Sequence, residues 1–127
     1  MARGLLKRLT LPPKSKIFAE GEAGDAMYLV ESGRVRVFEG KPGRTKTLKE
    51  FGLGEFFGEM ALVDDKPRSA SAETTEETAL LVITRENFDT IVLQNPSMAL
   101  FLIQALSERI RVLTAEVEKL RAAASGT

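Results

Sequence analysis

The residues best suited to chemistry in this chain are Glu59 and Arg68, a carboxylate and a guanidinium nine positions apart in the stretch EFFGEMALVDDKPRSASA, residues 55–72. Gly58, just before the acid, can bring bare backbone close to a ligand. Glu59, Met60, Ala61 and Leu62 are good helix formers, and the first N–H groups of a short helix lack partners and attract phosphate. The planar fork of Arg68 suits a phosphate bidentately, as a lysine ammonium would not. Pro67 sets its own φ and disfavours helix at Lys66, so an extended run from Arg68 to Ala72 is expected across from the short helix. Glu59 only accepts hydrogen bonds; with Arg68 on a phosphate it is left to take a hydroxyl, as of a ribose. A nucleotide monophosphate fits. The alternative, a mutual Glu59–Arg68 pair on a surface loop, is worth only ~0–1 kcal/mol and leaves the glycine and helix start unexplained.

Composition narrows the remaining chemistry. A chain of 127 residues, 43% hydrophobic, has room for one domain with a proper core, residues 1–127. Eighteen basic and eighteen acidic residues cancel, so no general attraction to nucleic acid or to an anionic membrane is expected. Cysteine is absent, which removes disulfides and thiolate chemistry and agrees with a reducing compartment. Histidine is absent too, and with it the commonest metal ligand and acid–base catalyst. No enzymatic activity, metal or cofactor is expected. No apolar run reaches transmembrane length, and the first eight residues are too short and interrupted for a signal peptide, so a cytoplasmic location is expected.

The elements that must position Glu59 and Arg68 read as short strands. Met1 to Thr10 is a basic amphipathic piece with Leu5, Leu6 and Leu9 at helical spacing, stopped by Pro12-Pro13. It is expected to pack on the strands, a membrane or channel junction being the alternative. From about 14 to 83, runs such as Lys16-Ile17-Phe18, Ala26 to Glu31, Arg34 to Phe38 and Thr45 to Phe51 lie between Gly- and Pro-bearing turns. Arg alternating with apolar residues in Arg34 to Phe38 marks a strand wet on one face; Ala79 to Ile83 is apolar throughout and reads as buried on both. The pattern predicts a mainly β fold with added helices, an antiparallel β jelly-roll barrel. Gly21, Gly33 and Gly52 are read as turn glycines without a ligand role. Thr84 is placed to cap a helix from Arg85 to Leu93, and Asn95-Pro96 to start another reaching about Ala124. The C-terminal helices thus occupy about 85–124.

Along the second helix Ile103, Leu106, Ile110, Leu113, Val117 and Leu120 follow a 3-4-3-4-3 spacing. Ile and Val at a with Leu at d favour a parallel two-stranded coiled coil, and Glu116 at g can pair with Arg121 at e. A homodimer through this helix is the expected partnership. The seam is shorter than three heptads, which suits a weak or ligand-dependent dimer. The competing reading packs the same stripe on the protein's own strands.

The stretch FGEMALVDDKPRSASA closely resembles the phosphate-binding cassette of cyclic-nucleotide-binding domains, as in catabolite-activator-type regulators and protein kinase A regulatory subunits. It carries the Phe-Gly-Glu opening, the Ala-Leu pair, the Pro-Arg and the small Ser69 and Ala70. The resemblance extends upstream through KIFAEGEAGDAMYLVESGRVRVF and downstream into the helical tail, nearly the whole chain. It implies a 3′,5′-cyclic nucleotide ligand, with Arg68 on the exocyclic phosphate oxygens, Gly58 and the backbone N–H groups of Met60, Ala61 and Ser69 nearby, and Glu59 on the ribose 2′-hydroxyl. It also implies a base covered by the C-terminal helix, with Arg109 and Thr114 the leading candidates and Arg111 and Leu113 behind them. Family members tuned to guanine often carry threonine after the arginine; here Ser69 stands there, so cyclic AMP is favoured and cyclic GMP stays open. Metal-dependent cupins build their sites from histidines, which this chain lacks. A domain that keeps the fold but binds nothing, or binds a cyclic dinucleotide, would not need both Glu59 and Arg68. Related transcription regulators add a helix-turn-helix, and Thr127 leaves no room for one. The expectation is a sensor acting through an unidentified effector protein, or a domain of a larger channel, kinase or transcription regulator, without direct contact to nucleic acid or membrane.

Overall fold

The computed structural model describes residues 7–62 and 66–125. The chain divides into two compact units, Met1–Thr90 and Ile91–Thr127. Among its described residues the first contains eight strands: β1 Lys7–Leu11, β2 Lys16–Phe18, β3 Ala26–Ser32, β4 Val35–Glu39, β5 Lys46–Phe51, β6 Phe56–Phe57, β7 Ser71–Thr74 and β8 Thr78–Thr84. A four-residue 3₁₀ helix, Glu59–Leu62, follows β6. Helix α1, Arg85–Gln94, runs across the boundary between the units, and α2, Pro96–Ser125, lies in the second.

The strands do not close into the expected jelly-roll barrel. They form two open four-stranded antiparallel sheets, ordered β1-β8-β3-β6 and β2-β7-β4-β5. Closure needs a partner on both sides of every strand. Here β6 is two residues long and pairs only through Tyr28↔Phe57 and Leu29↔Phe56. At the other sheet's edge, β5 pairs with β4 alone and is exposed from Lys46 to Glu50, a charged stretch of the kind that protects a free edge. With α2 at 30 residues against strands of two to seven, the fold is mixed α and β rather than mainly β.

The two sheets of the first unit share one core. Phe18, Val35, Phe51 and Ala72 from one meet Val30, Phe57 and Leu80 from the other. Each large side chain among them contributes ~1.5–3 kcal/mol by burial. Strand β8 lies between β1 and β3, and its burial is uneven: Thr78, Leu80 and Ile83 are buried while Ala79, Leu81 and Val82 are half-buried. Its apolar run therefore reflects a central place in the sheet more than two dry faces.

The helical reading of the N-terminal piece is also corrected. Lys7–Leu11 is a strand in register with β8, Leu9 opposite Leu80 and Leu11 opposite Thr78. Leu9 and Leu11, two apart, both pack against the core, a period of two that outweighs the helical spacing. Leu5 and Leu6 lie outside the described residues.

Helix α1 is capped as expected and with a reciprocal bond. Asn87 N–H donates to Thr84 Oγ1 at 3.3 Å, and Thr84 N–H donates to Asn87 Oδ1 at 3.1 Å. Helix α2 begins at Pro96, where Met98 N–H donates to the Asn95 carbonyl at 2.9 Å. In the second unit the heptad residues from Ile103 to Leu120 are between 37% and 70% exposed, so this apolar stripe stands open on a single chain.

Candidate ligand-binding site

Arg68 is held by its backbone before its side chain does anything. Its N–H donates to the Glu22 carbonyl at 2.8 Å, and Gly21 N–H donates to the Arg68 carbonyl at 2.8 Å, joining it to the loop between β2 and β3. Side chains secure the same loop: Glu20 N–H donates to Ser71 Oγ at 2.9 Å and Ala19 N–H to Glu22 Oε1 at 2.8 Å. That second bond is the main cause holding the Glu22 carboxyl below its usual value. Residues 66–70 are irregular and β7 begins only at Ser71, three residues later than the extended run expected from Arg68. The proline does exclude helix there, but the ladder forms only where β4 and β2 are in reach.

The side chain of Arg68 turns inward. Nη1 donates to the Gly58 carbonyl at 3.1 Å and Nη2 to the Ala26 carbonyl at 2.8 Å, while Cζ lies 4.0 Å from the centre of the Phe18 ring. Nε is buried and has no hydrogen-bond partner. Among the described residues no carboxylate lies within ion-pair distance of the group. Burial lowers the guanidinium from its ordinary value; the Tyr28 phenol and the carboxylates of Asp25, Glu59 and Glu22 act in the opposite sense. Arginine stays charged throughout the working range. Among the described residues, the site therefore holds a half-buried cation bonded to main-chain carbonyls.

The opposite wall starts at Gly58, whose φ of +77° suits glycine and turns the chain out of β6 into the 3₁₀ helix. Glu59, first in that helix, is half-buried and acts electrostatically on Arg68. Met60 is exposed and Ala61 buried. The Ala61 N–H donates within the turn to the Gly58 carbonyl at 3.3 Å. Ser69 is exposed beside Arg68. The structure thus brings Gly58, Glu59 and Arg68 together. Arg109 and Thr114 lie on α2 in the second unit, the first half-buried and the second exposed.

Two contributors escaped the sequence reading. Arg85, the first residue of α1, donates from Nε at 3.1 Å and from Nη2 to the Ala61 carbonyl, and its own N–H donates to the Asp25 carbonyl at 2.7 Å. Phe18 underlies the Arg68 guanidinium and reads in sequence as an ordinary core residue. Arg85 had one available signal, its place directly after a helix cap, where a long side chain can reach back across the preceding turn.

A half-buried cation bonded to main-chain carbonyls, with the Glu59 carboxylate acting on it, sits on two open antiparallel sheets followed by a long helix. The chain belongs to the cyclic nucleotide-binding domain family, whose profile matches residues 8–95. It is 39% identical over 121 residues to the cyclic AMP receptor protein of Thermus thermophilus, a match covering 94% of this chain and 56% of that protein. It is 41% identical over 83 residues to the cAMP-dependent protein kinase regulatory subunit of Aspergillus niger, covering 65% of this chain and 20% of that one. The crystal structure of Thermus thermophilus catabolite activator protein superposes with a TM-score of 0.80 at 39% identity, covering 94% of this chain and 57% of the other. The chain spans little more than half the length of these relatives, or less. The relationship is to regulatory, non-catalytic domains. Among the described residues no single helix is long and apolar enough to cross a membrane.

Proposed function

We propose that the chain, as one functional unit over residues 1–127, binds a 3′,5′-cyclic nucleotide, cyclic AMP before cyclic GMP, and passes occupancy on through its C-terminal helix. The observation that carries this reading is Arg68, a half-buried guanidinium with no carboxylate in ion-pair distance among the described residues. A half-buried charge with no carboxylate in ion-pair distance among the described residues carries a desolvation cost, and an arriving phosphate diester supplies a close partner. One negative charge needs one arginine, and no metal or cofactor is required. Arg68 takes the exocyclic phosphate oxygens; Gly58, Met60, Ala61 and Ser69 supply close backbone, and Glu59 accepts from the ribose 2′-hydroxyl. Arg109 and Thr114 are assigned to the base.

Ser69 in place of threonine after Arg68 supports adenine, as do the names of the two relatives above. Cyclic GMP is the second reading, because the exposed Ser69 hydroxyl is free in position to meet a guanine amino group. The open heptad stripe of α2 supports a homodimer, and the output then passes to an effector protein in the cytoplasm. Thermal shift with cyclic AMP, cyclic GMP, cyclic di-GMP and 5′-AMP tests the ligand. A cyclic mononucleotide at a hundred times its Kd should stabilise the fold by ~2.7 kcal/mol. No shift with either cyclic mononucleotide at millimolar concentration would remove the proposal. A spectroscopic pair between the first unit and Glu118 tests the signal, which requires a different distance distribution when ligand saturates.

A further inference from the structure

We infer that Phe18 and Gly24 are positioning residues for Arg68, fixing where its guanidinium sits and thereby the anion affinity of the site; the affinity part rests on Arg68 being the phosphate ligand. A free arginine side chain carries ~2 kcal/mol of rotamer entropy, and a group ordered in advance loses less of it on binding. Here the guanidinium lies 4.0 Å over the Phe18 ring, within reach of the ring's negative face. That ring is itself fixed. Phe18 is buried, with Tyr28 and Phe57 rings each 6.1 Å away and those two stacked on one another at 5.3 Å.

Gly24 closes the slot from another side by having no side chain. A Cβ there would fall 2.3 Å from Nε, 2.5 Å from Cζ and 2.8 Å from Nη2 of Arg68. Even alanine forces the guanidinium or the Gly24 loop to move, which we expect to disturb the stack on Phe18. The same backbone approach accounts for the buried Nε without a partner. For the fold alone, a cation with no carboxylate in ion-pair distance among the described residues is a poor use of this space, since an apolar side chain over Phe18 would avoid the desolvation cost. For anion capture, a cation already placed and partly dried is an advantage.

The full chain tests this in two arms. In the ligand-free protein, the Arg68 Nε–H resonance, assigned by its loss in Arg68→Lys, should be shifted upfield by the ring and slow to exchange. Phe18→Tyr should keep that signal, whereas Phe18→Leu and Gly24→Ala should move it towards an ordinary arginine position. Calorimetry with cyclic AMP should then show Phe18→Leu weakened about three- to thirtyfold, Gly24→Ala at least about tenfold, and Phe18→Tyr within about twofold of the parent. In an Arg68→Ala background, Phe18→Leu should cost nothing further. A rapidly exchanging or unshifted signal in the parent overturns the inference, as does a Phe18→Leu loss that persists without Arg68. Gly24→Ala lies outside the core and carries both arms if Phe18→Leu does not fold. A parent that binds no cyclic AMP would refute the ligand assignment, while the resonance arm would still decide whether Phe18 and Gly24 hold the guanidinium.

Discussion

Replacing Arg68 with alanine should separate binding from folding. In the free protein the side chain contributes two charged hydrogen bonds, to the carbonyls of Gly58 and Ala26, and its stack on Phe18. Against these stands the desolvation of a guanidinium with no carboxylate beside it. Its loss leaves Gly58 O with another donor, the Ala61 N–H, so only Ala26 O is orphaned, at ~1–3 kcal/mol. Relief of the buried charge offsets much of that, and the net change in stability should be under ~2 kcal/mol. With a cyclic nucleotide bound the balance differs, because removing the cation leaves a desolvated phosphate without its partner. Truncation of one side of such a pair costs ~2–5 kcal/mol, or about thirty- to several-thousandfold in Kd. Arg68→Lys should fall between, since an ammonium keeps the charge but cannot reach both carbonyls and present a fork. Calorimetry of cyclic AMP binding beside urea denaturation of the same variants reads both quantities. Parent-like affinity in a folded Arg68→Ala protein would refute the assignment of the phosphate to this residue.

The parent should prefer cyclic AMP over its 2′-deoxy analogue, and Glu59→Ala should erase much of that preference; equal affinities in the parent would take Glu59 off the ribose. Leu113→Lys should be monomeric by light scattering under conditions where the parent dimerises, because a charge at a central d position must enter the seam. A parent that is monomeric with ligand bound would refute the dimer. Stability should fall on acidification: Glu22 is lowered chiefly by the Ala19 N–H and Glu31 chiefly by Arg8. A carboxylate lowered in the folded state contributes above its unfolded pKa and loses that contribution as pH falls through the folded value, so denaturation midpoints should drop below about pH 4. Cyclic AMP affinity should stay flat from pH 6 to 8, since the chain has no histidine to titrate there.

What the sequence by itself determined is local. Pro67 had to end helix before Arg68, Thr84 had to cap α1, and Asn95-Pro96 had to start α2, because each depends on the φ or the hydrogen bonds of a few adjacent residues. Gly58, Glu59 and Arg68 were legible for the same reason: their chemistry and spacing announce an acid and a cation around a flexible approach. Tertiary structure decided what depends on partners distant in the chain. Leu9 belongs both to the helical spacing Leu5, Leu6, Leu9 and to the two-residue spacing Leu9, Leu11, and the pairing of Leu9 with Leu80 made Lys7–Leu11 a strand. The strand pattern reads as a closed jelly-roll barrel, but a two-residue β6 and a β5 that pairs on one side left two open sheets, an outcome that depends on strand partners distant in the chain. Above all, no spacing rule connects Phe18 and Gly24 to Arg68. Their roles arise only when the loop between β2 and β3 folds against residues 66–70 and brings a ring and a bare backbone to the two sides of one guanidinium.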